Sequence, residues 1–263
     1  MSGETLPTRP GACLHRPGTL RVVGLGPGSE VHRTPGALNA LVASQVVVGY
    51  APYIDAIGDR LDGKQVVRSG MKGELERVRQ ALDFALSGRD VALVSSGDAG
   101  VYGMAGLVLE LAEAEGLDLS IEIIPGMTAA QAAAAALGAP LMLDWAVVSL
   151  SDLMVPWDRI CRKLSGIARG DLCCVLYNPR SRGRRTLLRD ALAILSRDRP
   201  TTIPVAAVRE AGSPTQTIHR GTLGDFPVDL VDMKSLVVVG DSTTRWTARG
   251  MITPRGYVEK YGA

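Results

Sequence analysis

The stretch Val91-Ala92-Leu93-Val94-Ser95-Ser96-Gly97-Asp98-Ala99-Gly100-Val101-Tyr102-Gly103 decides the fold class of this chain. Its first five residues form an apolar run that reads as a buried strand. A glycine-punctuated loop follows, and a helical pattern begins near Met104 and runs to about 114. Two other stretches repeat the same grammar: Gly24-Leu25-Gly26-Pro27-Gly28 after a strand at 20–23, and Pro125-Gly126-Met127-Thr128-Ala129 after a strand at 119–124. Loops at strand ends in α/β proteins are where ligands sit. The three loops therefore predict one shared pocket built largely from backbone.

Outward from these loops, the pattern alternates. A helix is expected at 35–44 with Pro35 in its first turn, a strand at 45–48, and an apolar-striped helix at 74–86. An Ala-rich helix follows the third loop at 129–137. A second cycle predicts strands at 146–150, 172–176, 203–208, 215–222 and 235–240, with helices at 156–167 and 186–196. This alternation predicts an α/β fold of two lobes, with mostly parallel sheets flanked by helices. The expected boundaries are a disordered N-terminal arm at 1–18, an N-terminal lobe at 19–143, a C-terminal lobe at 144–245 and a loose tail at 246–263.

Composition narrows the chemistry. The chain has 263 residues, 46% of them hydrophobic, enough for one or two real cores. A formal charge of +2 and 4% aromatic residues give no nucleic-acid signature and no base-stacking platform. Cys13, Cys161, Cys173 and Cys174 include no CxxC pair, so no metal site is expected and the cysteines read as buried, reduced thiols of a cytoplasmic protein. No apolar stretch is long enough to span a membrane, and the first residues carry no secretory core. His15, His32 and His219 are the only histidines, and none joins a Ser/His/Asp or metal-ligand pattern.

The first loop invites a dinucleotide reading, which two positions oppose. A G-x-G-x-x-G fingerprint requires glycine where Ser29 stands. It also requires an acid at the end of the second strand, which ends Val48-Gly49-Tyr50. The same missing acid counts against an ordinary Rossmann-type methyltransferase. Pro27 removes a donor from a loop that would otherwise cradle phosphate.

Taken together, the GxGPG loop, the Gly97-Asp98 loop, Pro125-Gly126-Met127-Thr128-Ala129 and Leu176-Tyr177-Asn178 resemble the class III, tetrapyrrole-type methyltransferases that use S-adenosylmethionine. The resemblance covers about residues 19–240, and most members carry proline at Ala99. The run from Gly97 to Ala105, Ser149-Leu150-Ser151-Asp152-Leu153 and the run from Leu176 to Arg184 are closest to the branch that methylates precorrin-3B at C17 with ring contraction, in cobalamin synthesis. The resemblance implies a two-lobed α/β fold, each lobe a mixed, largely parallel sheet flanked by helices, with the active site in the cleft between the lobes; it also implies S-adenosylmethionine as cofactor, S-adenosylhomocysteine as product, a small-molecule tetrapyrrole substrate and a homodimer. It places Gly26, Pro27, Gly97, Asp98, Val101, Tyr102, Thr128, Ala129, Tyr177, Asn178 and Ala211 around the cofactor.

Glycines suit such a site because they permit close approach of backbone to ligand. Asp98 reads either as a partner of the cofactor's amino group or sulfonium, or as a helix N-cap. Precorrins are polycarboxylates, and arginine forks bind carboxylates bidentately. Arg180, Arg182 and Arg184, with neighbouring Arg185, therefore read as substrate-binding residues, and Arg209 at the next strand end as another. The alternative is a solvated basic stretch leading into a helix. Tyr50 stands where related uroporphyrinogen methylases carry a catalytic aspartate; it reads as a group that orients the macrocycle or donates a proton, or as strand-end packing. Ser151, Asp152 and Ser181 are the other candidates for proton handling in ring contraction. Two alternatives remain open at this point: methylation at another precorrin position, and a non-catalytic tetrapyrrole carrier.

Overall fold

The computed structural model of the chain describes residues 16–262 apart from Arg182 and Arg184. Those two arginines and residues 1–15 of the expected arm thus lie outside the described residues. Gly18, the last residue of that arm, is packed: its N–H donates to Ala85 O at 2.9 Å.

The first sheet contains β1 (Thr19–Gly24), β2 (Val46–Tyr50), β3 (Gln65–Ser69), β4 (Val91–Ser95) and β5 (Ser120–Ile124), in the order β3-β2-β4-β1-β5. All its pairings are parallel. Val46-Val47-Val48 and Val91-Ala92-Leu93-Val94 are buried throughout, as strands covered on both faces must be. Alternation sends Leu20, Val22, Val46, Val48 and Leu93 to one face, under α3 (Glu74–Leu86) and α4 (Ala105–Ala114). Val23, Val47, Ala92 and Val94 face the other way, under α1 (Pro35–Ala43) and the short α2 (Ala51–Asp55). Thr34 starts α1 by accepting the Ala37 N–H at 3.1 Å.

The second sheet contains β7 (Trp145–Ser149), β8 (Cys173–Tyr177), β9 (Pro204–Arg209), β10 (Thr217–Thr222) and β11 (Ser235–Val239), in the order β10-β9-β11-β8-β7. It is mixed, as expected, but not largely parallel: only β7 and β8 pair parallel, while β10–β9, β11–β9 and β11–β8 are antiparallel. Connectivity supplies the reason. A crossover helix, α6 (Trp157–Arg169), joins β7 to β8, whereas β9 and β10 are joined by a short loop that can only reverse the chain. With α7 (Leu187–Leu195), α6 covers one face of this sheet.

The other face is covered by α5 (Ala129–Leu137), which follows β5 of the first sheet. Ala130, Ala132, Ala133 and Leu137 pack on Val175, Ala206, Val208, Leu236 and Val238. The alanines let the helix lie close to the strands. The helix that leaves the first sheet is thus part of the second sheet's core.

The stretch read as a loose tail carries structure. β12 (Arg245–Thr247) and β13 (Gly250–Ile252) pair antiparallel, and β13 runs parallel to β6 (Gly138–Ala139). Met251 and Thr253 are fully buried, and Thr253 Oγ1 donates to Pro140 O at 2.6 Å. Strands this short have no period to detect, and the same holds for α2 and for the terminal helix α8 (Tyr257–Tyr261). Cys173 and Cys174 are buried as expected, and burial pushes the Cys174 thiol up to about 12.

The three glycine loops meet at the first sheet's C-terminal edge. A Cβ on Gly126 would lie 2.2 Å from Gly97 O and 2.6 Å from Gly24 O. Gly126→Ala is therefore expected to cost about 3 kcal/mol in denaturant unfolding. Gly166→Ala, inside α6 with nothing within 4 Å of the added carbon, should instead gain up to about 1 kcal/mol.

Candidate active site

Four of the strand ends that face the cleft are turned by a residue in the left-handed region. Gly26 (φ 81°) follows β1, Gly97 (φ 67°) follows β4, Asn178 (φ 52°) follows β8 and Glu210 (φ 50°) follows β9. Tyr102, in the second loop, has φ 54°. Non-glycine residues held in this conformation carry strain that marks functional sites. Tyr102, Asn178 and Glu210 all line the same cavity of about 550 Å³ between the two sheets.

Two hydrogen bonds between Gly26 and Gly97 (3.0 and 2.8 Å) zip the first loop to the second. The Asp98 carboxylate ties the second loop to the third. Its Oδ1 accepts from Gly100 and Val101 N–H at 2.8 and 3.1 Å, and its Oδ2 accepts from Gly126 N–H at 3.0 Å. Asp98 thus organises backbone on both sides of itself while still lining the cavity.

Two tyrosines cross from one sheet's elements to the other's. Tyr102 Oη accepts from Ser149 N–H at 2.9 Å and donates to Val147 O at 3.3 Å, both on β7. Tyr177, at the end of β8, shares a hydrogen with Thr128 Oγ1 at 2.6 Å and accepts from Ala130 N–H at 3.0 Å. Thr128 does not cap α5 with its own side chain, so the Tyr177 hydroxyl serves that end. The rings stand 5.2 Å apart. Burial raises both phenols above their ordinary range, so both remain protonated at neutral pH. Asn178 Nδ2 donates to Ser149 Oγ at 2.9 Å.

The 550 Å³ volume falls within the roughly 300–1,000 Å³ range of small-molecule pockets. Its walls include every position the resemblance placed around a cofactor: Gly26 and Pro27 from the first loop, Gly97, Asp98, Val101 and Tyr102 from the second, Thr128 and Ala129 from the third, and Tyr177, Asn178 and Ala211 from the second sheet.

The family profile described as Tetrapyrrole (Corrin/Porphyrin) Methylases matches residues 19–227. The chain belongs to the tetrapyrrole methylases. It is 47% identical over 90% of its length to a probable cobalt-factor III C(17)-methyltransferase from Salmonella typhimurium, covering 99% of that protein. It is 39% identical over 91% of its length to a precorrin-3B C(17)-methyltransferase from a Sinorhizobium species, covering 97% of it. Among solved structures it resembles that of the methyltransferase CobJ, with a TM-score of 0.86 and 38% identity, over 90% of this chain and 100% of that one. A uroporphyrin-III C-methyl transferase from Thermus thermophilus, complexed with S-adenyl homocysteine, shares the fold at a TM-score of 0.67 and 24% identity, over 86% of this chain and 98% of that one.

A second cavity of this methylase, about 590 Å³, opens beside the first and shares Met233 and Lys234 with it. Arg180, Ser181, Arg185 and Arg209 line it. Two of these arginines are already matched by acids. Arg180 pairs with Asp229 at 2.9 Å, and Arg209 pairs with Asp232 at 2.9 Å and with Glu210 at 2.7 Å. Ser151 and Asp152 follow β7, and the Ser151 N–H donates to Ser149 Oγ at 3.2 Å. Tyr50 ends β2 and lies outside both cavities.

Sequence reading missed Arg33, Tyr53, Glu210, Ser213, Thr215 and Lys234, all in the first cavity's wall. Arg33 and Tyr53 come from segments without a glycine motif. Glu210 escaped because its left-handed turn is invisible in sequence. Its carboxylate accepts from Lys234 Nζ at 2.7 Å and from Thr215 Oγ1 at 2.8 Å, and these bonds hold it below its ordinary range.

Two outcomes test this geometry. Tyr177→Phe leaves the Ala130 N–H without its partner and should cost about 1–2 kcal/mol of unfolding free energy. For Glu210, the folded-state carboxyl titrates below the unfolded one. Its contribution is therefore complete above the ordinary carboxylate range and fades as pH falls through it. A thermal-unfolding series in acid should show a shallower decline for Glu210→Gln than for the parent.

Proposed function

We propose that this chain methylates precorrin-3B at C17, with contraction of the macrocycle to precorrin-4, in cobalamin biosynthesis. S-adenosylmethionine is the methyl donor and S-adenosylhomocysteine the product. The observation that carries the reading is the single cavity that gathers the three glycine loops, Tyr177, Asn178 and Ala211, in a chain 39–47% identical to C17-methyltransferases.

The cavity fits such a donor. Its first-sheet wall is backbone made accessible by glycine, and the tyrosine pair closes one side. Gly26, Pro27, Gly97, Asp98, Val101, Tyr102, Thr128, Ala129, Tyr177, Asn178 and Ala211 hold the donor in this reading. When bound, the donor supplies an electrophilic methyl group on a sulfonium. The residues of the chain contribute positioning: rigid loops fix where a nucleophilic carbon must enter, which is the main catalytic requirement of an in-line displacement.

Arg180, Arg182, Arg184 and Arg209 receive the carboxylates of the macrocycle. Among the described residues, Arg185 presents a guanidinium to the second cavity with no acid paired to it. Proton handling during ring contraction falls to Tyr50, Ser151, Asp152 and Ser181. The same reading takes the protein as a cytoplasmic homodimer, for which sedimentation is the direct measure. No helix among the described residues is long and apolar enough to cross a membrane.

A second reading has a specific observation behind it. The 47% identical relative is named for cobalt-factor III, a cobalt-containing substrate, rather than for precorrin-3B. The test therefore uses both macrocycles. Purified protein, S-adenosylmethionine and precorrin-3B should give a product heavier by one methyl substitution, with carbon-labelled NMR placing the methyl at C17. Turnover of only the cobalt macrocycle would select the second reading. Recovery of both substrates unchanged, where a related enzyme turns over, would overturn both.

A further inference from the structure

Arg77, on the first turn of α3, is buried at 4% exposure, and no carboxylate pairs with it among the described residues. Its guanidinium is bonded only to neutral groups. Nε donates to Ser69 Oγ at 2.6 Å, one Nη donates to Gly70 O at 3.0 Å, and the other meets Met104 Sδ at 3.5 Å. Its charge lies 6.0 Å from the centre of the Tyr50 ring. Tyr50 in turn stands edge-on to Tyr53, 5.2 Å between centroids, and Tyr53 lines the 550 Å³ cavity.

Burying a cation without a counter-charge is costly, and a protein of this size has apolar residues that would fill the space more cheaply. Stability therefore does not account for Arg77. Its partners all belong to the first sheet's ligand-facing edge: the end of β2 at Tyr50, the end of β3 at Ser69 and Gly70, and the start of α4 at Met104. The loop after β3 that it anchors also contains Lys72, held at φ 66°. The Tyr50 hydroxyl has no hydrogen-bond partner among the described residues and is not sealed from solvent. The result is a strand end with a phenol and, behind its ring, a buried positive charge that no carboxylate contacts; the exposed Glu74, three residues earlier on α3, acts with it on Tyr53.

We infer that Arg77 is a positioning residue for the macrocycle: its buried, uncompensated charge fixes Tyr50 and creates, at the end of β2, a positive potential that receives a carboxylate-bearing ring. The inference rests on the functional reading above. It concerns the substrate side of the site and leaves the methyl-donor cleft untouched.

The test compares Arg77→Met, which keeps most of the volume and drops the charge, with Arg77→Lys, which keeps the charge and drops the fork. Three quantities are read: melting temperature, S-adenosylhomocysteine affinity by calorimetry, and binding of uroporphyrin III, a stable polycarboxylate macrocycle. Arg77→Met should melt at or above the parent temperature, because Ser69 Oγ and Gly70 O are open enough to turn to water. It should hold S-adenosylhomocysteine as the parent does. It should bind uroporphyrin III roughly tenfold more weakly, the size of one lost charge-assisted contact, and Arg77→Lys should recover most of that loss. Parent-like macrocycle binding by Arg77→Met would overturn the inference. So would parallel loss of stability and of both ligands, which is the mark of a purely structural residue, or failure of Arg77→Lys to recover any binding. If the parent itself holds S-adenosylhomocysteine but no macrocycle, the functional reading falls and this inference with it.

Discussion

The structure depends on a contact between three pieces of backbone. Gly24, Gly97 and Gly126 come from the ends of β1, β4 and β5, and their main chains touch with no room for a side chain between them. Loops this close cannot be spaced by packing, so they are held by hydrogen bonds. Gly26 and Gly97 exchange a pair, and Asp98 accepts three backbone N–H groups from two loops. A carboxylate with those acceptor positions engaged is stabilised where it stands. Asp98 is thus a brace for the loops as well as part of the cavity wall. The cavity wall that results is main chain, and its shape is set before any ligand arrives.

The same economy links the two sheets. α5 leaves the third loop and lies on the face of the second sheet, so a shift of one sheet would drag the loop that belongs to the other. Tyr177 satisfies the start of that helix from the second sheet, and Tyr102 reaches back to β7 from the second loop. Each tyrosine makes its hydrogen bonds with a group on the opposite side of the cleft. Domains joined only by a linker hinge freely; here a core helix and two hydrogen-bonded phenols span the joint. The cleft is therefore a preorganised site, which suits chemistry that depends on alignment more than on acid–base assistance.

Much of this was legible in the sequence, for identifiable reasons. Apolar runs such as Val91 to Val94 are long and buried on both faces, so they read as strands. The glycine loops read correctly because steric necessity leaves a mark in residue identity. Other features left no such mark. The antiparallel course of β9 and β11 depends on which strand inserts beside which, and no local pattern records it. β12 and β13 are too short to show alternation, yet Met251 between them is fully buried. Glu210 and Asn178 adopt the left-handed turn that glycine would signal, but as non-glycine residues they give no warning. Arg77 looked like an ordinary polar position of an amphipathic helix, because its burial arises only when β3 and α4 close over it.

The cations around the site differ in their partners, and the difference bears on how a polyanion could enter. Arg180 and Arg209 face acids that are themselves well exposed: Asp229 at 76% and Asp232 at 47%. Exposed pairs of this kind contribute little to stability, so exchanging such an acid for an incoming carboxylate costs little. These arginines can therefore pass their forks to a ligand. For Asp232 the balance is closer: burial works against its charge, while bonds from Arg209, Ser235 and the Lys234 N–H outweigh it and keep it ionised. Arg77 has no acid to exchange and no solvent to screen it. A site with exchangeable cations in one cavity and one fixed charge behind a strand end orients a polyanion by electrostatics, while the glycine loops of the neighbouring cleft set its shape with backbone.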